Sequence, residues 1–278
     1  VQPTRRQILS GALAAAVGGL GVYSWQIEPH WVEWVRRPLP VRGLPHAFEG
    51  AVLVQMSDLH VGHRTDSNYV IRCFRQVAAL APDIVVVTGD FISYHPTILA
   101  QSREVYAHLP RGRLATLGVL GNHDYGIDWA HPEVAEELSA MLATCGMTVL
   151  RDQLHDVAGL QVVGLDDLYG TEPDRARLPN GLDLRGPSLV LAHNPDTADL
   201  PGWEGYEGWI LSGHTHGGQC KPPLLDPPLV PVSNRRYIAG PVVLGGGRQM
   251  YINRGLGHLT RVRFNVRPEI TVFHLTAA

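Results

Sequence analysis

Five short apolar runs, each ending in a polar cluster, limit most tightly what this chain can fold into. Val52-Leu-Val54 leads to Asp58, Ile84-Val-Val-Val87 to Asp90, Leu117-Gly-Val-Leu120 to Asn122, Leu189-Val-Leu191 to His193 and Trp209-Ile-Leu211 to His214. Apolar runs this short, closed by Gly or a polar residue, predict strands buried on both faces. Helical periodicity lies between them. Over 68–80, Val70, Phe74 and Val77 share a face and Pro82 ends the segment. Over 132–145, Pro132 suits a first turn, Val134, Leu138, Met141 and Cys145 form one stripe, and Gly146 is placed to terminate it. Further strands are expected at 160–165, 248–254 and 269–275. The pattern is α/β: a sandwich of two mixed β-sheets flanked by helices. A chain of 278 residues can build this as one large domain.

The polar clusters are Asp58-Leu-His60, Gly89-Asp90, Gly121-Asn122-His123-Asp124, Ala192-His193-Asn194 and Gly213-His214-Thr215-His216. Open α/β sheets place their ligands at the C-terminal strand edge, which is where all five would sit. Residues two apart in extended backbone point to one side. Asp58 with His60, and His214 with His216, should therefore each reach a common site without a special bend. Acid, imidazole and amide groups in this number are what two adjacent divalent cations need, and two such cations can drive hydrolysis of a phosphate ester. A single His is usually only solvated or hydrogen-bonded, so His30, His95, His131 and His274 receive no role; His63 lies nearer the clusters.

Taken together, the motifs resemble the pattern DxH…GD…GNH[DE]…H…GHxH of the calcineurin-like metallophosphoesterases, over roughly residues 51–278. The stretch from His216-Gly-Gly-Gln219 to Arg254-Gly-Leu-Gly257 is similar to a bacterial branch of exported phosphodiesterases and UDP-2,3-diacylglucosamine hydrolases. The resemblance implies that Asp58, His60 and His216 bind one metal, that Asn122, His193 and His214 bind a second, and that Asp90 bridges both. It implies a metal-bound hydroxide as nucleophile, His123 assisting the leaving oxygen, and Asp124 orienting His123. Mixed oxygen and nitrogen ligands suit Mn, Fe or Zn better than a Ca²⁺ cage. Some members carry an acidic or amide residue just after the GD motif; here Phe91-Ile92-Ser93 follows. The expected reaction is hydrolysis of a phosphodiester or pyrophosphate on a lipid-linked or envelope substrate. A phosphomonoesterase, and a scaffold that has lost its metals, are the alternatives; no expected ligand is replaced.

The net charge of −3 gives no basic surface suited to nucleic acid. Cys73, Cys145 and Cys220 form no disulfide framework; Cys220 follows the last motif but reads as a small buried residue. At the N-terminus, Thr4-Arg5-Arg6-Gln7-Ile8-Leu9 and the Gly/Ala-rich stretch to Val22 resemble a twin-arginine export signal. Residues 1–22 are thus expected to engage the twin-arginine export machinery. They would act as a signal or an uncleaved anchor, placing the protein in the periplasm or on the outer face of the cytoplasmic membrane. That location conflicts with UDP-2,3-diacylglucosamine, which is made in the cytoplasm. Residues 23–50, rich in Pro, read as a linker or peripheral arm, with Trp25, Trp31 and Trp34 suited to a membrane interface or to packing on the domain.

Lys221-Pro-Pro-Leu-Leu-Asp-Pro-Pro-Leu-Val-Pro231 starts close to His216 and should border the site. It reads as an ordered loop packed on the core, or else as a wall that contacts acyl chains. Arg235 and Arg236 could grip a second phosphate or stay in solvent.

Overall fold

The computed structural model describes residues 3–93, 95, 97–170, 183 and 186–278. In chain order the elements are α1 (Arg5–Val22), β1 (Glu33–Val41), β2 (Val52–Met56), α2 (Ser67–Ala79), β3 (Ile84–Thr88), α3 (Ile98–Tyr106), β4 (Ala115–Val119), α4 (Pro132–Thr144), β5 (Thr148–Val149), β6 (Gln153–Val157), β7 (Leu160–Gly164), β8 (Ser188–Leu191), β9 (Trp209–Ser212), β10 (Gly240–Gly245), β11 (Arg248–Ile252) and β12 (Glu269–Ala277). One six-stranded sheet runs β1-β12-β2-β3-β4-β5 and the other β10-β11-β9-β8-β7-β6. Both are mixed: β2, β3 and β4 pair in parallel, as do β8 and β9, while β12 meets β2 and β7 meets β6 antiparallel.

The apolar runs lack alternation because both faces of their strands are buried. Ile84 and Val86 point into the layer between the sheets, against Leu160, Leu189 and Leu211. Val85 and Val87 point the other way, under the helices, with Phe74, Leu138 and Leu142. Helix α2 is capped by Asp66, whose side chain accepts from the amides of Asn68 and Tyr69, and it buries Val70, Phe74 and Val77 as expected. Helix α4 buries Val134, Leu138 and Met141, and Gly146 takes the left-handed conformation that ends it. Phe74→Ala should cost about 3–5 kcal/mol. The outer face of the second sheet is covered by Trp203, Tyr206 and Tyr237 from irregular segments, so the flanking helices α2, α3 and α4 all pack with the first sheet. Helix α3, with Ile98, Ser102, Val105 and Tyr106 buried, was not foreseen, because its apolar positions are few.

The expected linker is corrected over residues 33–41, which form the edge strand β1 paired in parallel with β12. Pro38 and Pro40 are tolerated because they share a parity. Both missing N–H groups then fall on the free edge, where a proline costs no ladder bond. The Pro40 carbonyl on that edge accepts from the Trp209 indole N–H at 2.9 Å. Trp34 packs against the first sheet's helical core, whereas Trp25 and Trp31 stay exposed.

Helix α1 begins with a capping box between Thr4 and Gln7 and buries no residue along its length. Within the helical stretch Arg5–His30 an 18-residue window has a mean hydropathy of 1.5, long and apolar enough to cross a membrane; an export signal has the same character. Its foot is docked. Buried Glu28 accepts from the Val266 amide at 2.6 Å, Ser24 O accepts from the Arg263 amide at 3.0 Å, and Arg267 lies over the Trp31 ring.

Buried His258 donates from Nε2 to Arg64 O at 3.0 Å. Burial, aided by the charge of Arg263, lowers its pKa to about 4. The unfolded chain takes up this proton near pH 6.5 and the folded chain only near 4, so stability is present above 6.5 and is lost as pH falls through that window. The loss should reach at most ~3 kcal/mol. Denaturant melts between pH 7 and 4 check this, and His258→Gln should flatten the slope.

Candidate metal centre

Every expected site residue follows a strand end. Asp58 lies two residues past β2, Asp90 two past β3, Asn122 three past β4, His193 two past β8 and His214 two past β9. Two sheets therefore deliver side chains to one place. Below it, buried Gln55 ties the sheets together, donating to Thr88 Oγ1 at 3.1 Å and Ser212 O at 3.0 Å.

The ligand-type atoms of Asp58, His60, Asp90 and His216 lie within 4.8 Å of one another, and so do those of Asp90, His193 and His214. Asp90 belongs to both groups. Its Oδ2 is 3.4 Å from His60 Nε2 and 3.3 Å from His193 Nε2. His216 Nε2 lies 3.3 Å from Asp58 Oδ1 and 3.0 Å from His60 Nε2. His214 Nδ1 faces His193 Nε2 at 3.1 Å. Two imidazole nitrogens facing each other at this distance need a proton or a cation between them. Asn122 Oδ1 is buried without a hydrogen-bond partner among the described residues. An acceptor in that state is costly unless it meets a ligand, so these residues fit a pair of metal ions.

The opposite ring nitrogens are held. His193 Nδ1 donates to Thr88 O at 2.7 Å, and His214 Nε2 donates to Pro231 O at 2.9 Å. His60 Nδ1 is 3.1 Å from Ser93 Oγ. Ser93 thus supplies support from the residues after the GD motif, where no acidic or amide group stands. Such partners fix ring orientation in metal sites. Arg263 Nη2 lies 3.4 Å from His216 Nδ1 and donates to the carbonyls of Arg254, Gly255 and Gly257.

Burial pushes His60 and His214 down to about 3 and His216 well below its ordinary range. Neutral imidazole is the form that binds a metal. Burial raises Asp58 to about 7. Burial would also raise Asp90, but the neighbouring His193, His123 and His60 outweigh it and hold it low.

The backbone differs from the extended geometry that the motif spacing suggested. Asp58, His60, Asp90, His214 and His216 all have positive φ, between 45° and 70°. Each such residue costs on the order of 1–3 kcal/mol and persists only where its surroundings hold it. His214 and His216 do not serve one group: the bend sends His214 to His193 and His216 to Asp58 and His60. Close approach also needs glycine. A Cβ on Gly213 would meet Ser57 Oγ at 1.8 Å, and one on Gly121 would meet Asp90 Oδ1 at 2.3 Å.

His123 stands outside both His/Asp groups. Its amide donates to Asp90 Oδ1 at 3.0 Å, and its ring packs edge-on against His60 and Trp129. The expectation that Asp124 orients His123 is corrected. Buried Asp124 accepts from the Ile92 amide at 3.1 Å and the Gly121 amide at 2.9 Å, so it braces the two loops that carry Asp90 and Asn122. His63 packs against His95 at the surface.

A cavity of about 940 Å³ opens over the centre, lined by Asp90, Asn122, His123 and His214 on its floor. Its walls include Trp129, Tyr169, Cys220, Leu229, Pro231, Leu259 and Val262. Trp129 and Tyr169 stack on each other at 5.6 Å. The Pro-rich segment is therefore a wall of the cavity, and its Leu224, Leu225 and Leu229 are exposed instead of packed on the core. Arg235 and Arg236 do not line the cavity; they donate to the carbonyls of Pro227 and Val243. Ser93, Arg263 and Tyr169 carry no local motif because their partners His60, His216 and His214 lie 33 to 47 residues away, and Trp129 lies outside every motif. Only Ser93, three residues past Asp90, carried a positional signal.

Residues 51–218 match the family of calcineurin-like phosphoesterases. The uncharacterized metallophosphoesterase YkuE of Bacillus subtilis is 34% identical over 98% of this chain and 97% of its own length. Phosphodiesterase YaeI of Escherichia coli is 30% identical, covering 98% of this chain and 99% of its own. The UDP-2,3-diacylglucosamine pyrophosphatase LpxG of Chlamydia muridarum is 27% identical over 94% of each.

Proposed function

The chain belongs to the calcineurin-like phosphoesterase family, and on that footing we propose that it is a two-metal hydrolase of phosphodiester or pyrophosphate bonds. In this reading Asp58, His60, Asp90 and His216 hold one ion, and Asp90, Asn122, His193 and His214 hold the other. The observation that carries it is the sharing of one buried carboxylate, Asp90, by two groups of ligand-type side chains. Mn, Fe or Zn would suit the mixed donor set. Two such ions would supply Lewis acidity and an activated water.

The protein's own groups do the rest. Thr88 O, Pro231 O and Ser93 Oγ aim three imidazoles inward. Asp124 holds the Asp90 and Asn122 loops at a fixed separation. His123 faces the cavity beside Asp90 and delivers a proton to the departing oxygen.

For the substrate, the apolar cavity wall favours a lipid-linked or envelope phosphodiester, and a UDP-2,3-diacylglucosamine-like molecule is the specific candidate. The similarity to YaeI, a phosphodiesterase, and to LpxG, a UDP-2,3-diacylglucosamine pyrophosphatase, supports that bond type. Residues 1–22 act in this proposal as a twin-arginine signal or anchor that places residues 51–278, the phosphoesterase domain, on the outer face of the cytoplasmic membrane.

Metal analysis of the purified chain should find two divalent ions. Chelation should abolish hydrolysis of bis-p-nitrophenyl phosphate, and Mn²⁺ should restore it. Faster turnover of p-nitrophenyl phosphate than of the diester would point to a phosphomonoesterase. A chain that binds no metal and hydrolyses neither would be a silent scaffold.

A further inference from the structure

Three leucines of the loop that walls the cavity stay uncovered among the described residues. Leu224 is fully exposed, and Leu225 and Leu229 keep 63% and 80% of their surface in water. The loop that carries them is pinned at two points. Pro227 is buried between them, Arg235 Nη2 donates to its carbonyl at 3.0 Å, and Pro231 O holds His214. Apolar side chains held outward in this way mark an interaction surface.

The same rim is tied to the foot of α1. Gln219, next to the loop, donates to Thr260 O and Val262 O at 2.8 and 2.9 Å. One residue on, the Arg263 amide donates to Ser24 O, and the Arg261 side chain donates to Gln26 at 3.3 Å. Segment 259–263 is thus clamped between the apolar helix and the loop, and it lines the cavity through Leu259, Thr260 and Val262. From Ile8 to Ile27 the helix carries no charge. At 1.5 Å per residue it reaches roughly 30 Å, the thickness of a bilayer's hydrocarbon core. Arg64 and Arg261, exposed beside Leu259, suit anionic head groups.

We infer that Leu224, Leu225 and Leu229 form a second membrane contact beside α1, so that the cavity opens onto the bilayer surface and takes an amphipathic phosphodiester whose tails remain in lipid. The contact is shallow, because exposed Asp226 lies within the loop and a carboxylate is costly in hydrocarbon. Continuity with the helix argues for lipid as the occupant over a second copy of the chain. The substrate half of the inference rests on the phosphodiesterase reading above, and the membrane contact on the reading of α1 as an anchor.

The test uses the full chain in phosphatidylcholine–phosphatidylglycerol vesicles, prepared with and without bromine on the acyl chains. In a Leu225→Trp variant, the added emission should be quenched by the brominated lipid. Emission that bromine leaves unchanged overturns the contact, including the case where it becomes shielded from acrylamide by a second copy. The double variant Leu224→Ser/Leu225→Ser should hydrolyse soluble bis-p-nitrophenyl phosphate at the normal rate. On a vesicle-borne diacylglycerol p-nitrophenyl phosphate diester it should lose roughly tenfold, the weight of about one buried leucine. Equal losses on both substrates would overturn the membrane-facing entry. Failure of the unmodified protein on both diesters would sink the phosphodiesterase reading, while the quenching still decides the contact.

Discussion

Asp90→Asn should be the most damaging single change in the molecule. It leaves volume and burial nearly untouched, yet it removes the one charge common to both groups of ligand-type atoms. The expected result is loss of both ions on dialysis and a fall in turnover on the order of 10³-fold or more. That exceeds the roughly 10–100-fold cost in metal affinity typical of losing an orienting partner, which Ser93→Ala at His60 should show. The variant should still fold, because Asp90 Oδ1 accepts one amide bond, from His123, that an amide oxygen can also accept. Metal analysis beside a thermal melt separates the outcomes. Retention of both ions with near-normal turnover would remove Asp90 from the centre of the mechanism.

His123→Ala should leave metal content nearly intact, because the His123 ring stands outside both groups and touches the site through its faces and its amide. Its proposed task is to protonate the departing oxygen. Loss of a general acid costs on the order of 10²–10⁴-fold. The full loss should appear with an alkoxide leaving group, which needs the proton. With p-nitrophenolate, which departs without one, the loss should be small. Equal losses across leaving groups with both ions bound would mean that His123 positions the phosphate. Asp124→Asn should not follow this pattern. Its carboxylate braces the Ile92 and Gly121 amides, so the variant should lower metal occupancy and stability with no leaving-group dependence.

The fold class was legible because its cause is local. Ile84 to Val87 are apolar in succession, which a strand shows only when both its faces are covered. The period of Val70, Phe74 and Val77 likewise marks one helical face whatever it packs against. Edge strand β1 was illegible for a related reason. Pro38 and Pro40 look like chain breakers until the pairing with β12 puts both missing donors on the free side. The site residues were readable as residue types in sequence order, since the motifs state which atoms are on offer. The family resemblance also assigned His214 and His216 to different ions; what no motif showed is the left-handed backbone that turns them there. Asp124 sits beside His123 in sequence but bonds across to Ile92.

By itself, then, the sequence determined the strands, the two main packing helices and the kinds of atom that gather at the strand ends, because periodicity and turn chemistry act over a few residues. Only the tertiary structure decided that Asn122 keeps a buried oxygen with no hydrogen-bond partner among the described residues. It also decided that Pro231, Thr88 and Ser93 aim the imidazoles, and that the Pro-rich segment walls the cavity with its leucines outward. The bonds that aim the imidazoles join positions 17 to 105 residues apart, from His214 with Pro231 to His193 with Thr88. Their partners are chosen by how two twisted sheets pack and where each strand stops, which no local pattern specifies.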